Sequence, residues 1–246
     1  VITPSKICEE MVSLLPDSFI TDIADKKGRI LDIAGTSGEF AAAIYKRMTA
    51  LGIDKDIIEN SIYTIPKSSI CYELTRKLYS MLNLNAENIA QGFIATDLLE
   101  FKKDNELDYG KIKGLLSQNK KFSTISLKDN LTEGDETMTF DAIVGNPPYQ
   151  EETSGNSTGT NPIYHYFLEL SQRLGSINVF LTPARFLFNA GKTPKSWNQK
   201  MLKDRHLKVA LYEQNPEKMI PGIPLTGGFA VSIWDKNTDN EPIGTF

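Results

Sequence analysis

FDAIVGNPPY, residues 140–149, is an apolar run that stops at a pair of prolines. A short, continuously apolar segment bounded by breakers reads as a strand buried on both faces. Pro147 and Pro148 hold the backbone in one conformation and remove two N–H donors. The amide oxygen of Asn146 and the carbonyl of Pro147 can then both face outward as unpaired acceptors, with the flat ring of Tyr149 beside them. Two acceptors and a ring make a receptor for a planar amine. A plain turn needs neither the asparagine nor the aromatic.

Upstream, RILDIAG reads as a strand and GEFAAAIYKRMTAL as the helix after it, with Phe40, Ile44 and Met48 at helical spacing. Asp32 closes this first strand, and Gly35 and Gly38 open the turn, where glycine lets the backbone approach a ligand closely. NSIYTI is the next strand, and SSICYELTRKLYSML a helix with Ile70, Leu74 and Leu78 inward. NIAQGFIATDLL holds a third strand with Asp97 at its carboxyl end. At the N-terminus a helix starts at Pro4 with Thr3 as N-cap. Residues 101–138 read as an insertion with a small strand near FSTISL, and 150–162 as a mobile loop. Downstream, NPIYHYFLELSQRL is a helix, SINVFLTPARFLF a strand and turn, and HLKVALYEQ and GGFAVSIWDK two closing strands. Strand alternating with helix implies a parallel sheet covered on both faces, with ligands at the strands' carboxyl ends.

The 246 residues are 40% hydrophobic and 24% charged, the composition of a folded globular chain. No apolar run reaches the ~18 residues of a membrane span, and the N-terminus lacks the pattern of a signal peptide. Two cysteines, Cys8 and Cys71, exclude a disulfide framework and a four-thiolate zinc site and point to a reducing cytoplasm. No metal is called for. Residues 192–208 carry Lys192, Lys195, Lys200, Lys203, Arg205 and Lys208 against Asp204, a local +5 in a chain of net charge −4, leaving −9 elsewhere. Such a segment can hold a phosphate backbone; the competing reading is a solvated helix face. A start at Val1 and an end at Phe246 just after a strand suggest a piece of a longer protein.

Asn-Pro-Pro-Tyr after an apolar strand, with a glycine-rich strand–turn upstream and Thr3-Pro4 before it, resembles the S-adenosylmethionine-dependent, adenine-specific (N6) DNA methyltransferases of the gamma arrangement. MIPGIPLTGGFAVSIWDK (219–236) is similar to a run in large type II (IIS/IIG-like) restriction-modification enzymes. The resemblance implies the methyltransferase fold of that class, α/β with a mostly parallel seven-stranded sheet, helices on both faces and a closing antiparallel strand. It implies one catalytic domain over 1–246 and a target recognition domain beyond it. It assigns Thr3, Pro4, Asp32, Gly35, Gly38 and Asp97 to S-adenosyl-L-methionine. It assigns Asn146, Pro147, Pro148 and Tyr149 to a flipped adenine in double-stranded DNA, with the ring of Tyr149 rather than its hydroxyl doing the stacking and the 150–162 loop closing over the nucleotide. Departures accompany it. Ile33, Gly35 and Thr36 replace the Pro, Cys and first Gly of the usual turn. Pro66 stands where an acid normally binds the ribose, a pair worth about 1–3 kcal/mol. Ile220 stands where many relatives have a stacking Phe.

Two other readings compete. One is methylation of a protein glutamine or an RNA base, opposed by Thr3-Pro4, the 108 residues between Gly38 and Asn146, and the LTGGF tail. The other is a non-catalytic DNA-binding module on a decayed methyltransferase fold, favoured by Pro66 and Thr36 and opposed by the intact Asn-Pro-Pro-Tyr.

Overall fold

The computed structural model describes residues 2–100, 102–103, 106–122, 140–151 and 161–244. Its strands are β1 (Ile30–Gly35), β2 (Ile62–Pro66), β3 (Lys102–Lys103), β4 (Glu106–Leu107), β5 (Phe140–Gly145), β6 (Gly175–Pro183), β7 (Leu207–Glu213) and β8 (Phe229–Asp235). Six of them form one sheet in the order β2-β1-β5-β6-β8-β7, and β3 and β4 pair as a separate hairpin. The pairs β1–β2, β1–β5 and β5–β6 are parallel, and β8 runs antiparallel to both β6 and β7. The parallel strands, β7 included, therefore end on one edge of the sheet.

Side-chain alternation in β5 shows how the sheet is covered. Ala142 and Val144 join one core with Ile7 and Cys8 of α1 (Ser5–Ser13) and Phe40, Ile44 and Met48 of α3 (Glu39–Ala50). Ile143 points the other way, to Phe167 and Leu170 of α7 (Tyr164–Leu174) and Met201 of α8 (Lys195–Lys203). One strand feeding two cores by period-2 alternation is what a doubly covered parallel sheet requires.

Two expectations are corrected here. Among the described residues the sheet has six strands rather than seven. The third strand shrinks to one parallel bridge between Thr64 and Ile89, supported by Ala90 N–H donating to the Thr64 carbonyl at 2.8 Å. Gly92, at φ +86°, then turns the chain out of the ladder. The helix after β2, Ser69–Leu82, buries Thr75 and Tyr79, while Ile70 is 73% and Leu74 45% exposed. Its phase is fixed by the Tyr79 hydroxyl, which bonds Thr64 Oγ1 at 3.0 Å and donates to the Ile62 carbonyl at 3.3 Å. FSTISL lies, apart from Phe122, outside the described residues, as does most of the 150–162 loop. No helix among the described residues is long and apolar enough to cross a membrane.

Candidate active site

Asn146 follows β5 directly, so the strand's own hydrogen-bond ladder places it at the edge where the parallel strands end. Its amide is bonded on both sides. Nδ2 donates to Thr3 Oγ1 at 3.0 Å, and Oδ1 accepts from the Tyr149 hydroxyl. This corrects two expectations. The Asn146 oxygen is not an unpaired acceptor, and Tyr149 contributes its hydroxyl as well as its ring. Burial pushes the phenol well above its ordinary range, against the opposing bond to Asn146, so it stays a donor. The Tyr149 ring packs 5.7 Å from Phe229 at 56°, and Pro147 and Pro148 are buried. The chain on either side of 152–160 is clamped: Ile163 N–H donates to the Tyr149 carbonyl and Glu151 N–H to the Asn161 carbonyl, both at 3.0 Å.

Thr3 is free to meet Asn146 because it does not cap α1. Pro4 is the N-cap, its carbonyl accepting from the N–H groups of Ile7 (2.9 Å) and Cys8 (3.1 Å). The reason lies in Pro4 itself, whose fixed φ suits the residue before the helix as well as the first helical one.

Asp32 does not close its strand. β1 runs on to Gly35, and Asp32 lies inside the sheet between Thr64 and Val144. It is fully buried, and neither carboxylate oxygen reaches a hydrogen-bond partner. Burial first and the Glu39 charge second hold its carboxyl well above the usual range; the Ala34 amide, short of hydrogen-bond geometry, opposes them. The next turn has no spare room. A Cβ on Gly35 would sit 2.5 Å from Thr64 Cγ2 and 2.7 Å from Asp32 Oδ2. Gly38, at φ +88°, is the N-cap of α3. Both glycines are required by the backbone path.

Sequence reading missed Glu39. Its carboxylate accepts from Thr36 Oγ1 (2.9 Å), Ser37 N–H (3.0 Å) and Ser37 Oγ (2.6 Å), satisfying the donors of the turn at the start of α3. Thr36 and Glu39 stand three residues apart, but Gly38 is the N-cap and Glu39 the first residue of α3, so the pair is not a capping box and no capping pattern announces it. The same charge, with that of Asp32 and with burial as the largest cause, raises the Cys8 thiol and makes it unreactive.

Three cavities follow one another along this edge. The first, about 660 Å³, is lined by Pro66, Ile70, Phe93, Ile94 and Asp97. The second, about 490 Å³, runs from Lys67 and Ser68 past Ile94 to Pro148 and Tyr149. The third, about 250 Å³, lies between Tyr149, Tyr164 and Arg185. Ile94 is shared by the first two and Tyr149 by the last two. Asp97 thus sits at one end of the row, though within a 3₁₀ turn (Ala95–Leu99) and not at a strand end, and its Oδ2 accepts from Ile94 N–H at 2.8 Å. No acid stands at Pro66. Ile220 is 2% exposed and belongs to the core; from its segment Leu225 lines the cavity beside Tyr149.

The basic segment is not a single face. α8 runs away from the cavities toward the start of β7. Lys200 pairs with Glu169 at 3.8 Å, Arg205 pairs with Asp239, and Lys195 donates to the Asn189 carbonyl. Lys192 alone of the six lines a cavity next to Tyr149.

An adenosyl group fits the first cavity chemically. Asp97 keeps a carboxylate oxygen that is not spent on Ile94, and Ile70, Phe93 and Ile94 supply apolar walls. A sulfonium cation suits the neighbourhood of the unpaired Asp32 and of Glu39.

Solved structures share this fold. A nuclease-deletion mutant of the Type ISP restriction-modification enzyme LlaGI, in complex with a DNA substrate mimic, superposes with a TM-score of 0.63 at 16% identity over 98% of this chain and 23% of its own. The DrdV–DNA complex gives 0.62 at 17% identity over 95% and 26%. The M protein of the Type I restriction enzyme EcoKI gives 0.60 at 14% over 99% and 46%. The chain spans less than half the length of each. No curated protein sequence matches it significantly. A family profile matches residues 60–219, more than half of the chain, from just before β2 through the Asn146–Tyr149 turn to Met219, and the chain belongs to the Eco57I restriction-modification methylase family.

Proposed function

We propose that the chain is the catalytic unit of a cytoplasmic, site-specific DNA adenine-N6 methyltransferase of a restriction-modification system, with a target recognition domain supplied beyond residue 246. The observation that carries this reading is the Asn146 amide, fixed on one side by Thr3 and on the other by Tyr149 at the end of a buried strand. A carbonyl oxygen has two lone pairs. One on Asn146 Oδ1 is taken by the Tyr149 hydroxyl and the other remains for an incoming N–H. Donation from Nδ2 to Thr3 draws electron density toward that oxygen.

S-adenosyl-L-methionine, held by Asp97 and the apolar walls of the first cavity, with the 35–38 turn beside it and Asp32 buried behind that turn, would supply an electrophilic methyl group. The exocyclic nitrogen of adenine is a weak nucleophile because its lone pair is delocalised into the ring. Asn146 Oδ1 and the Pro147 carbonyl would accept its two N–H bonds and stabilise the positive charge that grows on nitrogen as the new N–C bond forms and the methyl–sulfur bond breaks, the sulfur leaving as a neutral thioether and the surplus proton passing from nitrogen to water. Both are fixed before the reaction, so no reorganisation is needed. A base inside a duplex cannot reach them and must be extruded, and the Tyr149 ring offers the stacking surface.

Tritiated methyl transfer to DNA, followed by nucleoside analysis, tests the proposal. Wild type should yield N6-methyladenine. Asn146→Ala should lose about 10²–10³-fold in turnover, the ~2.7–4 kcal/mol of one transition-state hydrogen bond, with cofactor binding retained. Full activity in Asn146→Ala, or label only in protein glutamine or RNA, would overturn it. A non-catalytic module gains support from Glu39, which occupies the turn's donors, and from Pro66; calorimetry showing no S-adenosylmethionine binding even at millimolar concentration would favour that reading.

A further inference from the structure

We propose that Arg185 and Lys192 form an anion site beside Tyr149 that grips a phosphodiester of the polynucleotide chain adjoining the bound base. The inference rests on the DNA reading above and adds a binding site to it.

The third cavity carries two cations, and its lining, among the described residues, includes no carboxylate. Arg185 is built into place. Its aliphatic stem lies in a slot between Gly191 (φ +83°) and Gly227 (φ +92°). A Cβ on Gly191 would lie 3.4 Å from Arg185 Cβ, and one on Gly227 only 2.9 Å from Arg185 Cγ. Both walls are stripped of side chains at left-handed positions, where the backbone can pass close to the stem. Confining the stem removes rotamer freedom before binding, so less is lost on contact. The head is nonetheless exposed, and no carboxylate among the described residues pairs with it. Its charge acts on the cavity wall: burial pushes the Tyr164 phenol up to about 12, and Arg185 is one of the groups that oppose this.

A planar guanidinium matches two phosphate oxygens at once, and Lys192 adds a point charge. Position favours a chain phosphate. The second and third cavities share Tyr149 as a wall, so a base stacked on one side leaves its own backbone on the other. The remaining cations of 192–208 do not compete, since they lie along or beyond α8, where Lys195, Lys200 and Arg205 have protein partners of their own.

The test is fluorescence anisotropy of labelled hexadeoxyadenylate binding to the 246-residue chain across a salt series. Single-strand binding loses a slope of about 0.7 per phosphate contact removed. Arg185→Gln and Lys192→Gln should each flatten the slope by about that amount, equally on hexathymidylate. Arg185→Lys should keep the slope while weakening binding, because the charge stays and the fork is lost. Lys203→Gln and Arg205→Gln should change nothing, and Arg185→Gln should have no effect on a methylphosphonate backbone. An unchanged slope in Arg185→Gln, an equal loss in Lys203→Gln, or no wild-type binding at millimolar oligonucleotide would overturn the site. Competition by deoxyadenosine monophosphate as strong as by the hexamer would assign it to a free phosphate monoester and overturn the chain-phosphate assignment. Flattened slopes without methyl label in DNA would keep the site and sink the methyltransferase reading; label in DNA with unchanged slopes would do the reverse.

Discussion

Asp32 in β1 and Asn146 after β5 belong to adjacent central strands, yet their side chains are held in opposite ways. The Asn146 amide has a partner on each side, one of them 143 residues away in sequence. The Asp32 carboxylate, fully buried, has none. A satisfied polar network rigidifies what it touches, whereas an unpaired buried carboxylate costs stability. The Asn146–Tyr149 turn is therefore finished by folding alone, and the Asp32 region retains a cost that folding does not recover. Buried polar atoms left unsatisfied in this way concentrate at functional sites.

Substitutions in the two regions should accordingly have opposite signs. The largest effect is expected from Asp32→Asn. Because the folded carboxyl titrates well above its unfolded value, the native state binds the extra proton, and wild-type stability falls as pH rises above about 4. Asn removes that dependence. Thermal unfolding should show Asp32→Asn gaining about 1–3 kcal/mol at pH 7 and little at pH 3.5, with weakened S-adenosylmethionine binding by calorimetry. A loss of stability at pH 7 would mean that Asp32 is a structural partner after all, and the contrast would fail.

Tyr149→Phe comes next. It retains the ring but frees Asn146 Oδ1, so it should cost about 0.5–1.5 kcal/mol of stability and up to about tenfold in turnover. A silent Tyr149→Phe would restore the ring as the only contribution. Thr3→Val should be the mildest, with about 0.5–1 kcal/mol lost and Thr3→Ser restoring it. Equal melting temperatures for Val and wild type would show that Tyr149 orients the amide unaided.

Most of the fold was legible because the signals were local. The apolar runs of β1, β2, β5 and β6, and the Phe40–Ile44–Met48 stripe of α3, need only period and breakers to be read. What escaped depends on partners distant in sequence. Of the regular stripe Ile70, Leu74 and Leu78 only Leu78 packs against the core, because a tyrosine reaching back to β2 sets the helix phase. The third strand failed at Gly92, a single backbone conformation. At the candidate site the bonds between residues were not legible in the sequence. Nothing near position 3 indicates that its hydroxyl meets Asn146, and nothing near Arg185 indicates a slot closed by Gly191 and by Gly227, 42 residues further on. Glu39 is different in that its partners, Thr36 and Ser37, lie within three residues of it.

The bond between Thr3 and Asn146 also sets a timetable for biosynthesis. At about 5–20 residues per second on the ribosome, Thr3 leaves the peptidyl-transferase centre roughly 7–30 s before its partner is made. During that interval β1 has no β5 to lie against and the Thr3 hydroxyl has no Asn146 to meet. Each nascent chain thus lacks this contact until Asn146 is made, and any arrest before that residue yields a product without the Asn146–Tyr149 turn.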